Sequence, residues 1–296
     1  LVTELALSQS SRQAFSDYLS LTKPRIALLV LVTTAASFRL ASQSDLFLFL
    51  FIATLLGTGL ASAAASVFNC VLDREIDARM ERTRHRPLAA GRLGVAPATI
   101  FGFALSLASF AILILWANLL AASLALFAIF FYSVIYTLWL KRTSPLCTAI
   151  GGIAGAIPPL IGWAAATGQI EAPALVLFAI LFLWQPPHFW ALALHRVEEY
   201  RRANLPILPV VRGERATRRQ SLLYALALLP ISLLLFYPLG VVGWGYALGA
   251  GALGLGFIYV SWRNFAQPSI ANSKQLFFYS MIYLALLFLV IMLSAL

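Results

Sequence analysis

Residues 46–77 read LFLFLFIATLLGTGLASAAASVFNCVLDREID, and no charged residue occurs in them before Asp73. About 20 residues of helix cross the hydrocarbon core of a bilayer, so this run spells a membrane helix whose end is marked by Asp73, Arg74, Glu75 and Asp77. A strand of a membrane barrel would alternate apolar and polar residues over about ten positions. This run is continuous, and only a helix satisfies its own backbone groups inside lipid.

The rest of the chain repeats the pattern. Of 296 residues, 61% are hydrophobic and 11% charged, against about 25% charged in soluble domains. A soluble globular enzyme is excluded. Nine apolar stretches stand out, at 26–41, 46–68, 95–116, 119–139, 146–166, 173–194, 222–241, 243–262 and 277–295, with edges good to about 2–4 residues. The expectation is an all-α polytopic membrane protein, a single domain over 1–296 with 1–22 as a cytoplasmic N-terminal segment. That segment is mixed and polar, unlike a cleavable signal or transit peptide.

The formal charge of +10 would suggest nucleic acid in a soluble protein. Here every one of the 21 Lys and Arg residues except Arg39 falls in the N-terminal segment or in alternate connections. The positive-inside rule therefore puts the N-terminus and the long connections in the cytoplasm and the C-terminus outside. A nucleic-acid partner is not expected. The inner membrane of a bacterium is the simplest location, with the mitochondrial inner membrane the second choice. Cys70 and Cys147 lie far apart with no CxxC or metal spacing, and support neither a disulfide framework nor a zinc site.

Acidic residues are scarce, and seven of the eleven sit in two cytoplasmic connections: Asp73, Glu75, Asp77 and Glu81 in one, Glu198, Glu199 and Glu214 in the other. Asp45 and Glu171 stand on the opposite face. If the second span continues as helix past Phe68, then Asn69, Asp73 and Asp77 fall within about 80° of one face and along about 12 Å of axis. Such a column of oxygens suits Mg²⁺, which takes carboxylate and amide ligands and completes its shell with water and substrate phosphates. Nearby arginines supply bidentate donors to the same phosphates. The plainer alternative is a solvated helix end with local ion pairs of little worth.

The NxxxDxxxD pattern after the second of nine helices resembles the UbiA superfamily of intramembrane prenyltransferases. The likeness is strongest to the branch that farnesylates protoheme IX to haem O. It rests on residues 21–25 (LTKPR), 69–77 (NCVLDREID), 82–88 (RTRHRPL) with Gly91, 141–142 (KR), 151–163 (GGIAGAIPPLIGW), 187–193 (PHFWALA) and 205–211 (LPILPVV), in order across nearly the whole chain. The resemblance implies a UbiA-type bundle, Mg²⁺ held by Asn69, Asp73 and Asp77, and farnesyl diphosphate as donor. Lys23, Arg25, Arg82, Arg86, Lys141 and Arg142 are the candidates for its diphosphate. It also implies haem b as the acceptor substrate, and a downstream haem A synthase or terminal oxidase assembly as recipient of the product.

Many quinone-type members of that superfamily carry a second Asp-rich motif in the sixth-to-seventh connection. Here the stretch reads His195-Arg196-Val197-Glu198-Glu199-Tyr200, without aspartate. Glu198 or Glu199 can substitute as metal ligand, or the basic groups can serve a different acceptor. His188, His195, Arg196 and Tyr200 are the candidates on the haem side. On one continuous helix, His188, His195 and Glu199 share a face, and Pro186-Pro187 is expected to disturb that helix near a cavity. Imidazole ligates haem iron and Arg pairs with propionates. A buried histidine bonded across the bundle fits His188 equally well. The glycines of 151–162 suit close helix packing, and Pro158-Pro159 should interrupt the fifth helix.

The expected reaction is therefore ionisation of farnesyl diphosphate and attack by a haem vinyl group. Two rivals remain. One is a prenyltransferase of the same fold acting on an aromatic quinone precursor. The other is a secondary transporter, which would place its polar residues near the bilayer midplane instead of at the cytoplasmic rim.

Overall fold

The computed structural model describes residues 2–42 and 47–294, so Asp45 and the outermost ends of the second and ninth expected spans lie outside the described residues. The described residues are helical throughout their regular structure. In chain order the helices are α1 (Val2–Leu21), α2 (Pro24–Ser42), α3 (Leu48–Leu72), α4 (Arg74–Arg79), α5 (Val95–Trp116) and α6 (Leu119–Phe130). A π-helix (Phe131–Leu140) continues α6 and leads into α7 (Lys141–Thr143). Then come α8 (Cys147–Ala156), α9 (Pro158–Thr167), α10 (Ala172–Leu194), α11 (Val197–Arg202), α12 (Leu208–Val211), α13 (Gly213–Leu233), α14 (Trp244–Ala266) and α15 (Ile270–Ser294).

Eight of these helical units are long and apolar enough to cross a membrane. They match eight of the nine expected spans. The remaining one, expected at 222–241, is α13, which starts and ends about eight residues earlier. Its first turns carry Glu214, Arg215, Arg218 and Arg219, which shortens its apolar part. Past Leu233 the chain turns, ahead of Pro238.

The helices close on themselves. α2 packs on α3, α3 on α5, α5 on α6, α6 on α8 and α9, and α8 on α10; α10 then meets α13, α13 meets α14, α14 meets α15, and α15 returns to α2. Two apolar clusters fill the ring. One, around Phe38, Ala64, Leu113, Ala125 and Ile161, joins α2, α3, α5, α6 and α9. The other, around Leu177, Trp184, Phe257, Tyr283 and Phe288, joins α10, α14 and α15. Large apolar side chains such as Phe103, Leu107, Leu248 and Leu289 point outward, as lipid-facing residues must.

Small residues allow the closest approaches. A Cβ on Gly162 would lie 2.4 Å from the Thr34 carbonyl oxygen of α2, and one on Gly151 would lie 2.3 Å from the Tyr136 ring. The fifth span breaks at Ile157, between α8 and α9. The hydroxyl of Ser37 donates to the Pro159 carbonyl at 2.7 Å there. Pro186 and Pro187 act differently from expectation: α10 runs through both without a break. The side chain of Gln185, just before them, ties α10 to α8 by donating from Nε2 to Gly152 O at 2.9 Å.

Gly162→Ala should destabilise the bundle by on the order of 1–3 kcal/mol, the usual cost of overpacking. Gly251→Ala, where a Cβ meets nothing within 4 Å, should not. Thermal unfolding in detergent checks both; equal midpoints for the two variants would contradict the packing account.

Candidate active site

The expected column forms at the end of α3. The helix continues past Phe68 to Leu72, and Asp73 breaks it for one residue before α4. The backbone holds register across the break, with Asp73 N donating to Asn69 O at 2.9 Å and Asp77 N to Asp73 O at 2.7 Å. Asn69, Asp73 and Asp77 are only 4%, 1% and 4% exposed. These are not solvated helix-end charges.

Each member of the column is met by one cation. Lys23 Nζ donates to Asn69 Oδ1 at 2.6 Å, Lys141 Nζ to Asp73 Oδ2 at 2.5 Å, and Arg86 Nη1 to Asp77 Oδ2 at 2.7 Å. Asn69 Nδ2 links the first two by donating to Asp73 Oδ2 at 2.8 Å. Burial pushes the Lys23 pKa below its ordinary value. Asp73 Oδ1 is buried with no hydrogen-bond partner. A buried carboxylate oxygen left unsatisfied costs free energy, which an electrophile would relieve.

Three distant segments supply these cations. Lys23 sits in the turn between α1 and α2 with φ of 50°. Lys141 follows the π-helix, and Arg86 comes from the connection after α4. That connection is tied down by Thr83 Oγ1, which donates to Asp77 O at 3.0 Å. Arg142 donates to the Leu72 carbonyl at 2.6 Å, satisfying the C-terminus of α3. The side chains of Arg25 and Arg82 are exposed, so four of the six expected diphosphate candidates meet the column or its helix end and two do not.

Sequence reasoning missed Thr137. Its hydroxyl donates to Tyr132 O, five residues back, at 2.8 Å, and receives Asn69 Nδ2 at 3.2 Å. The wider π-helical turn is what places it there, and such turns recur at functional sites. Its signal was a polar residue in an apolar span, four positions before Lys141. A second omission is the buried Asp17 of α1, which holds Arg92 by Nη2 at 3.1 Å and Nε at 3.1 Å. A cavity of about 430 Å³ lies between this pair and the column, lined by Ser20, Lys23, Cys70, His85 and Arg86.

The other expected residues lie elsewhere. Glu198 is exposed and paired with Arg201 on its own helix. Glu199 turns toward the first connection, accepting from Arg82 N at 3.0 Å and Arg196 Nη1 at 3.2 Å. Burial pushes its carboxyl up, but these donors outweigh that and hold it below the ordinary range. The shared helix face expected for His188, His195 and Glu199 is only half realised. Because α10 ends at Leu194, Glu199 sits on the separate α11, while both histidines contact the Phe277 ring, at centroid distances of 4.7 Å and 6.4 Å. His195 bonds Ala191 O through Nδ1 at 2.9 Å, and burial lowers its pKa. Tyr200 packs against the apolar cluster of Met80, Leu140, Cys147 and Leu205, which Ile76 and Tyr136 also join.

The donor set of two buried carboxylates and one amide, with a partnerless oxygen among them, fits a hard divalent cation completed by water and phosphate. Among the described residues no cluster of three or more His, Cys, Asp or Glu forms a metal cage, so an ion here would need ligands from outside the protein.

A profile of the UbiA prenyltransferase family matches residues 30–289. The chain belongs to the UbiA prenyltransferase family. Among UbiA relatives, a protein of Gloeobacter violaceus named protoheme IX farnesyltransferase is 51% identical over 96% of this chain and 95% of its own. One of the same name from Thermosynechococcus vestitus is 50% identical over 92% and 86%. A UbiA-type fold is seen also in a structure reported for digeranylgeranylglyceryl phosphate synthase, with a TM-score of 0.81, 18% identity and coverage of 96% and 99%. A UbiA homologue from Archaeoglobus fulgidus bound to GPP and Mg²⁺ gives 0.71, 16%, 93% and 99%. This UbiA member is thus a membrane prenyltransferase.

Lys141→Met strands the buried Asp73 charge and should destabilise the ligand-free protein by about 3 kcal/mol. Combining it with Asp73→Asn should recover more than half of that. Chemical or thermal unfolding of the four proteins tests this; additive losses would contradict a direct pairing.

Proposed function

We propose that this chain, acting as one intramembrane domain, transfers the farnesyl group of farnesyl diphosphate to a vinyl group of haem b, giving haem O and diphosphate. The observation that carries the proposal is a buried Asn69–Asp73–Asp77 column, each member held by a separate cation, in a chain half identical to proteins named protoheme IX farnesyltransferase.

Asn69, Asp73 and Asp77 would hold Mg²⁺, which when bound draws off charge from the departing diphosphate. Lys23, Lys141 and Arg86 already stand at those side chains, so each can pass from a carboxylate or amide oxygen to a phosphate oxygen without crossing the site. Arg142, Arg25 and Arg82 lie further out along the same rim. As the allylic carbon–oxygen bond breaks, these cations stabilise the leaving group. The vinyl π-electrons form the new carbon–carbon bond, and the resulting porphyrin-side cation is captured by water, which then loses a proton. Lipid supplies the C15 tail, and the apolar bundle keeps water from the first cation.

On the acceptor side, Arg196 Nε is buried without a partner and offers a donor to a propionate. The cytoplasmic N-terminus and external C-terminus follow from the basic connections, and a bacterial inner membrane is the proposed location. The product would pass to a haem A synthase or terminal oxidase assembly.

Purified protein given farnesyl diphosphate, haem b and Mg²⁺ should yield a porphyrin heavier by farnesyl plus water in the mass spectrum. Asp73→Asn should abolish that product while the protein stays folded, and chelation should stop wild-type turnover until Mg²⁺ is restored. Prenylation of an aromatic quinone precursor in place of haem, or full activity in Asp73→Asn, would reject the proposal.

A further inference from the structure

His188 lies in a setting that the diphosphate cradle does not use. Its ring is stacked between Trp184, at a centroid distance of 4.6 Å and 18° between planes, and Phe277, at 4.7 Å and 21°. Both π faces are therefore covered. Nδ1 stands 2.7 Å from Ser280 Oγ. Ser280 has one hydroxyl hydrogen, and it donates that hydrogen to Phe277 O at 2.6 Å. Its oxygen must then accept from His188, which places the imidazole proton on Nδ1 and leaves the Nε2 lone pair free in the neutral ring.

No described residue bonds Nε2, and the His188 side chain is partly exposed. The ring is also held from both helices. Trp184 Nε1 donates to the carbonyl of the same Ser280 at 2.7 Å, so α10 and α15 close on the imidazole through one residue. A protein-bonded Nδ1–H, a fixed ring plane and an open Nε2 are what a metal-ligating histidine requires. Stacking does not oppose ligation, because a metal approaches along the plane of the ring.

His195 has the same tautomer, donating from Nδ1 to Ala191 O. It meets Phe277 edge-on and caps the C-terminal end of α10 beside Arg196. Its plane is not fixed from two sides.

We infer that His188 Nε2 ligates the iron of the porphyrin acceptor inside the bundle, and that Ser280 is the positioning residue that sets its tautomer and orientation. The inference rests on haem b being the acceptor, as proposed above. A porphyrin is otherwise a flat apolar disc, and its propionates mark only one edge. One iron–nitrogen bond fixes the centre of the macrocycle and thereby the radius at which a vinyl group stands from the α10–α15 seam.

Ferric haem b titrated into the purified full-length protein should bind saturably with the spectrum and electron paramagnetic resonance of imidazole ligation. His188→Gly should lose that signature and bind more weakly, and added imidazole should restore the signature. Ser280→Ala should weaken haem binding by about 10–100-fold, the usual effect of removing such a partner, while Ser280→Thr, which keeps the hydroxyl, should not. Thermal midpoints report folding of each variant. An unchanged signature and affinity in His188→Gly, or loss of the signature in His195→Ala alone, would overturn the inference while haem remained the acceptor. Failure of the wild type to bind haem at all would overturn the acceptor assignment and this inference together.

Discussion

A carboxylate that is 1% exposed at the end of a membrane helix cannot stay charged alone, because removing such an ion from water costs several kcal/mol. Asp73 meets that constraint with Lys141 at 2.5 Å and the Asn69 amide at 2.8 Å. Much of the cytoplasmic end is organised around this requirement. The π-helix delivers Thr137 and then Lys141, the α1–α2 turn delivers Lys23, and the connection after α4 folds back to bring Arg86 onto Asp77. The charges neutralise one another in the ligand-free protein, yet one Asp73 oxygen is left without a partner.

That balance explains how an anionic donor can be bound at the rim of an apolar bundle. The cations are already largely buried and localised, so a diphosphate would replace protein oxygens as their partner instead of stripping water from mobile side chains. In the proposed function a divalent ion would take the carboxylates that the cations release. The two halves of the bundle then divide the work. On the proposed reading, the α3 and π-helix side would hold the leaving group, and the α10–α15 seam, with His188 bonded to Ser280, would face the acceptor.

The membrane spans were legible because apolar runs of bilayer length have few alternative folds. The Asn69–Asp73–Asp77 column was legible for a related reason: a helix fixes the direction of residues four apart, and the backbone holds that register even across the break at Asp73. Where the helix assumption failed, so did the inference. Glu199 left the face of His188 because α10 stops at Leu194, where the sequence carries no Gly or Pro to mark the boundary. Pro186 and Pro187 did not break α10, which is held on both sides by packing against α8, α13 and α15. Thr137 and Ser280 were invisible because their roles depend on contacts 68 and 92 residues away in sequence.

The central claim is that the Asn69–Asp73–Asp77 column grips a divalent ion and, through it, the diphosphate. A crystal or cryo-electron microscopy structure with Mg²⁺ and an unreactive thio-analogue of farnesyl diphosphate tests it most directly. The account predicts the ion between Asp73 and Asp77, with Lys141 and Arg86 moved from those carboxylates onto phosphate oxygens. An analogue lodged elsewhere, with Lys141 still bonded to Asp73 and no ion between the carboxylates, would contradict it.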